Sequence, residues 1–188
     1  MKHFGTLFFA YASVFLVLST PLWQNPQRMA FPLKSKTLSR PPNPAEALRR
    51  EALEEVRAVY RDLEKRPVER ACTRQTECCQ FKLTGRTPQL TRGEAIVAAR
   101  ALRASGRKTM PERDDGACPL LRGNGTCLIY QDRPFGCRTH FCAAAGGPYS
   151  RSEVLDLIRR LENADTQLGG TGPRALPVAL RDELKTLQ

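Results

Sequence analysis

The chain has 188 residues, 41% apolar and 26% charged, a balance that excludes wholesale disorder and allows one domain plus a tail but not two domains of ordinary size. The formal net charge is +11, and the excess is regional: residues 1–44 hold five Lys/Arg and no acid, while residues 71–149, which contain every cysteine, hold twelve Lys/Arg against six Asp/Glu. A basic surround of this kind serves either an anionic partner such as nucleic acid or the neutralisation of thiolates. Aromatic residues that would stack on bases are few past residue 40, and no RNP-like or zinc-finger spacing is present. Nucleic-acid binding is therefore the weaker reading.

In chain order, residues 4–23 ("FGTLFFAYASVFLVLSTPLW") form an uncharged run about as long as a membrane-spanning helix. Lys2 precedes it as in a signal peptide, yet no small-x-small cleavage site follows Leu18. Arg28, Lys34, Lys36 and Arg40 lie beyond it, so a spanning segment leaves the rest of the chain in the cytoplasm, anchored to the inner membrane. A translation start at Met29 gives the same compartment without the anchor. We expect a hydrophobic segment over residues 1–28, a Pro-rich linker over 29–43, a folded domain over 44–168, and a hinge with a C-terminal helix over 169–188.

The first predicted helix starts at "NPAEALRREALEEVRAVYRDLEK", with Asn43 as N-cap, Pro44 at the first helical position, and an apolar stripe of Leu48, Ala52, Val56, Val59, Tyr60 and Leu63. Capping boxes at Thr91/Glu94 and Ser150/Glu153 predict two more helices, and a fourth follows the "GGTGPR" hinge over about Pro177–Leu187. Between the second and third, "CPLLRGNGTCLIY" places two apolar runs around Asn124-Gly125, which predicts a hairpin. The expected fold is mainly α with a small β-hairpin, a loop-rich cysteine-cluster domain flanked by amphipathic helices.

The seven cysteines fall in three groups: Cys72, Cys78 and Cys79; Cys118 and Cys127; Cys137 and Cys142. They avoid the predicted helices and sit beside Gly, Pro and Arg. Structural disulfides favour an even count and an oxidising compartment. A nucleophilic cysteine needs a nearby base, and the chain has only His3 and His140. Metal ligation needs several thiolates gathered on loops, which is what these groups supply. No C-x-x-C pair is present. Seven thiolates exceed the four of one tetrahedral zinc, and adjacent side chains such as Cys78 and Cys79 diverge, so that they serve either two metals or two atoms of one cluster.

The segments "ACTRQTECC", "CPLL", "CLIY", "RPFGCR" and "FC" together resemble the YkgJ-type cysteine-cluster family, whose motif runs C-x-x-C-x-x-C-C, CP-x-L, C-x-IY, RP-x-x-CR and a closing Cys. The resemblance covers roughly residues 70–142. It implies zinc or iron binding, an iron-sulfur cluster included, through Cys72, Cys78, Cys79, Cys118, Cys127, Cys137 and Cys142, with activity mostly unassigned; some members are described as flagellin lysine methylases. Gln75 departs from the pattern, standing where the second cysteine falls.

His140, between two cysteines, is a candidate eighth ligand, or else a surface hydrogen-bonding group. Arg133 and Arg138 are candidates to steady the ligand loops by donating to sulfurs and carbonyls. Pro134 is expected to set a turn, with Gly136 letting the chain fold back; Tyr130 and Phe135 read as packing. No phosphate loop, dinucleotide fingerprint, HExxH helix or nucleophile elbow is visible. The reading is a metal-binding protein with an unassigned activity; the alternatives are an iron-sulfur redox or lysine-methylase-like enzyme and a basic nucleic-acid-binding zinc protein.

Overall fold

The computed structural model describes residues 43–66, 70, 72 and 75–187. The apolar run 4–23 lies outside them; among the described residues no helix is long and apolar enough to cross a membrane.

Helix α1 (Pro44–Glu64) begins where its cap signals place it, with the Asn43 side chain accepting from the Ala45 amide at 3.2 Å. Its stripe buries Ala52, Leu53, Val56, Val59, Tyr60 and Leu63, while Leu48 stays exposed. The partner is helix α5 (Leu155–Gln167), which supplies Leu157, Leu161 and Ala164. The Ser150/Glu153 box forms, with the Ser150 amide 2.7 Å from the Glu153 carboxylate, but the chain then makes a 3-10 turn over Ser152–Val154 before α5 starts.

Helix α3 (Arg92–Ala104) is central. Both halves of its capping box are present, and all residues from Gly93 to Ala99 are buried. Ile96 and Val97 face α1 and α5, whereas Ala95, Ala98, Ala99 and Leu102 face helix α6 (Leu176–Thr186) and the cysteine loops. Gly93 permits the approach of α1: a Cβ there would stand 2.7 Å from Val56 Cγ2. Two short helices sit on the cysteine side, α2 (Phe81–Thr84) and α4 (Phe135–Thr139).

The β structure is small and antiparallel. Its two-stranded sheet pairs β1 (Gln89–Leu90) with β2 (Arg174–Ala175), Gln89 opposite Ala175 and Leu90 opposite Arg174. The Asn124-Gly125 turn forms, with Asn124 Oδ1 accepting from the Thr126 amide and hydroxyl, but its arms share a single bridge between Leu121 and Cys127. An isolated hairpin ladder is marginal in water. Here Leu120, Leu121 and Ile129 are buried against α3 and α6 instead of extending the ladder. The cysteine region thus has an apolar foundation of its own.

The "GGTG" hinge wraps round the buried Asp165. Its carboxylate accepts from the Arg92 amide at 2.6 Å and the Gly172 amide at 2.9 Å, which joins the start of α3 to the lead into α6. A Cβ on Gly170 would fall 2.2 Å from Asp165 Oδ1, whereas one on Gly123 meets nothing within 4 Å. Gly170→Ala should therefore destabilise the protein by about 1–3 kcal/mol in thermal or urea unfolding, and Gly123→Ala by far less; equal effects would refute a tight Asp165 cradle.

Candidate metal centre

A cavity of about 910 Å³ opens beside the α3/α6 core and is lined by Cys72, Cys78, Cys79, Cys118, Cys127, Cys137 and His140. Three separated segments deliver these side chains. Cys78 and Cys79 sit on a 3-10 turn over Glu77–Cys79, entered through Thr76 in the left-handed region (φ 63°) and closed by the Cys79 amide on the Thr76 carbonyl at 2.8 Å. A β-branched residue rarely adopts that φ, and here it reverses the chain just before the paired thiols. The Cys118 amide donates to the Cys79 carbonyl at 2.7 Å, so the first two cysteine groups are joined through backbone. Cys127 lies on the Leu121–Cys127 bridge, and Cys137 is carried by α4. Gly136 is helical there and packs toward Pro88; the chain does not fold back at it.

The Cys78 and Cys79 sulfurs are 4.0 Å apart. Two thiolates on one tetrahedral zinc, each about 2.3 Å from the ion, are separated by about 3.8 Å. Adjacent positions on the tight turn therefore suit ligation of a single centre. Cys142 is placed differently. Its thiol donates to Gln75 Oε1 at 3.8 Å.

The electrostatics follow from burial and proximity. The Cys79 thiol donating to Cys78 lowers the Cys78 pKa to about 7, with a smaller push from the Arg133 guanidinium, and the shared proton together with burial raises Cys79. Burial raises Cys118 to about 11, and also raises Cys127 and Cys137. Charges on Cys78, Cys118, Cys127 and Cys137 act on one another, so these sulfurs and Cys79 share one neighbourhood. Arg133, stacked 4.2 Å over the Tyr130 ring, is the cation that favours thiolate at Cys78 and Cys127.

Arg138 has another task. It is buried, stacks 4.4 Å over Tyr60, and donates to the Arg133 carbonyl at 2.8 Å, to Glu64 Oε1 at 2.6 Å and to the Gln131 carbonyl. All three bonds end on oxygen, so the residue clamps the loop between Cys127 and Cys137 to α1. Glu94 completes the support: one oxygen accepts from the Thr91 amide and hydroxyl at 3.0 and 2.8 Å, the other from the Phe135 amide at 2.8 Å. Residue 94 thus caps its own helix and α4 together. Nothing in the sequence distinguishes this Glu from any other capping-box residue.

The donor set suits a soft cation, being rich in thiols on a partly apolar wall. No three His, Cys, Asp or Glu among the described residues are arranged to hold an ion; the sulfurs line the cavity wall.

Residues 71–158 match the family model CxxCxxCC, described as "Putative zinc- or iron-chelating domain". That stretch, 88 of the 188 residues, is similar to this family. No curated protein and no solved structure matches the chain. The match supports metal binding, and the family's name spells the spacing that Cys72, Gln75, Cys78 and Cys79 follow with one substitution.

Burial holds the Glu94 carboxyl above its usual range. A carboxyl raised in the folded state contributes stability fully below its ordinary pKa, and loses it as pH rises through the raised value. Glu94→Gln, which sets an amide donor against backbone donors, should cost about 1–3 kcal/mol. The stability margin of wild type over E94Q should shrink from about pH 4 upward; a constant margin in urea titrations would show that Glu94 does not titrate anomalously.

Proposed function

We propose that Cys78, Cys79, Cys118, Cys127 and Cys137 form one thiolate centre for zinc or iron, and that chelation at this centre is what the domain does. The observation that carries the reading is the convergence of these five sulfurs on one cavity, with the Cys78 and Cys79 pair at the spacing of two ligands on one ion. The protein's own residues supply the rest. The cation replaces the protons that burial keeps on Cys118 and Cys137; Arg133 offsets part of the remaining negative charge; Arg138 and Glu94 keep the Cys137 helix in register with the hairpin. Zinc would supply a tetrahedral structural or stored ion; iron would add one-electron chemistry.

One observation favours a second reading, an iron-sulfur centre in a redox or lysine-methylase-like enzyme: a cavity of about 910 Å³ has room for far more than a single ion. Free thiols at all seven cysteines fit a reducing compartment, the cytoplasm, for either reading.

Protein purified without oxygen should retain zinc or iron through gel filtration. Cys79→Ser and Cys137→Ser should each weaken metal retention by at least about 100-fold, and Cys142→Ser should leave it unchanged. A colourless, sulfide-free zinc protein would select the first reading and a brown one with acid-labile sulfide the second. Retention indifferent to Cys79 and Cys137 would end the five-thiol assignment.

A further inference from the structure

The cavity beside the cysteines is far larger than any ion, and its volume of about 910 Å³ falls within the roughly 300–1,000 Å³ of pockets that enclose organic molecules. Its fixed charges are of one sign: Arg86 and Arg133 line it, together with His140, and no Asp or Glu does. Much of the remaining wall is apolar, formed by Phe81, Pro88, Leu120, Leu121, Phe141 and Leu176. Arg133 already acts on Cys78 and Cys127. Arg86 has no such task. Among the described residues its guanidinium makes no ion pair or hydrogen bond, and only its amide is engaged, on Thr84 Oγ1 at 3.4 Å. The loop that carries Arg86 is nevertheless held in place. Helix α2 ends at Gly85 in the left-handed region (φ 63°), the Pro88 carbonyl accepts from the Leu176 amide at 2.9 Å, and a Cβ on Gly136, the neighbour of Cys137, would stand 3.6 Å from Pro88 Cβ. The Arg86 loop and the Cys137 helix therefore meet at Pro88, as two walls of one cavity.

We propose that this cavity binds a small organic anion, with its oxyanion head on Arg86 in the loop between α2 and β1 and its apolar body against Phe81, Pro88 and Leu176. Charge decides the orientation. A carboxylate or phosphate placed at the cysteines would meet thiolate sulfur, whereas Arg86 offers a guanidinium fork that matches either oxyanion bidentately. A cationic head finds no carboxylate on this wall, only thiols that the metal claims. The apolar residues give the body of the ligand a surface to cover, which a bare inorganic anion lacks. The inference rests on the metal-binding reading only in taking the cysteine side of the cavity as negative.

The test uses the full chain with the metal it retains and measures binding by isothermal titration calorimetry, with octanoate, octyl phosphate, octylammonium and inorganic phosphate as probes. At least one of octanoate and octyl phosphate should bind, and the tighter of the two identifies the head group. Shortening its chain should weaken binding roughly fourfold per methylene. Arg86→Gln should weaken it by about 10-fold or more, while Arg57→Gln, on the exposed side of α1, should match wild type. Metal content should be the same in all three proteins. Absence of binding by both oxyanions, an affinity indifferent to R86Q, octylammonium bound equally well, or inorganic phosphate held as tightly as octyl phosphate would each overturn the proposal. A chain that retains no metal would instead sink the thiolate-centre reading, and the difference between wild type and R86Q, measured on that metal-free chain, would still decide this one.

Discussion

The arrangement of the cysteine region depends on one buried carboxylate. Glu94 accepts from the first turn of α3 through Thr91 and from the first turn of α4 through Phe135. Both amides would otherwise be helix-start donors without partners in a dry interior, at a cost of roughly 1–3 kcal/mol each. Satisfying them with the two oxygens of one side chain ties the helix bearing Cys137 to the helix at the centre of the core. Arg138, one residue on from Cys137, adds a second tie by holding two loop carbonyls against α1. Between them they leave the Cys137 helix little freedom to move relative to the hairpin.

Helix α3 makes this possible because it has two apolar faces. One face completes the α1/α5 layer and the other carries α6, the hairpin and the sheet. The cysteine loops therefore rest on Leu120, Leu121 and Ile129, buried among the alanines of α3, rather than depending on a metal alone for their shape. Burial of three such side chains is worth several kcal/mol. Packing against this core brings the Cys118, Cys127 and Cys137 side chains to one cavity.

Packing also sets the chemistry of the thiols. The apolar wall that places Cys118 and Cys137 raises their pKa values, and the neighbouring sulfurs add to the penalty on charge. A divalent cation held by these thiols would reverse that balance by stabilising thiolate. Arg133 is the fixed counterweight, stacked on Tyr130 and close enough to act on Cys78 and Cys127. The basic excess of residues 71–149 is thus partly spent on thiols and on loop carbonyls.

Several features were legible in the residues themselves. Asn43-Pro44 and the Thr91/Glu94 and Ser150/Glu153 pairs marked helix starts because capping is local chemistry, satisfied within four residues. The cysteine groups and the Gln75 departure were equally plain, being patterns of residue type. What required the tertiary structure was every relation between distant segments. Asn124-Gly125 announced a turn, but whether its arms would pair or pack was decided by the α3 surface beneath them. The sheet joins residues 89 and 175, which no local pattern links. Arg138 was visible as a loop arginine, yet its acceptors lie on α1 and two loop carbonyls; Glu94 looked like half of a cap and proved to serve two helices. The sequence by itself determined which side chains are available to bind a soft cation. Only the folded chain decided that Cys72, Cys78, Cys79, Cys118, Cys127 and Cys137 line one cavity while Cys142 faces Gln75, because which sulfurs meet is set by long-range burial and not by spacing along the chain.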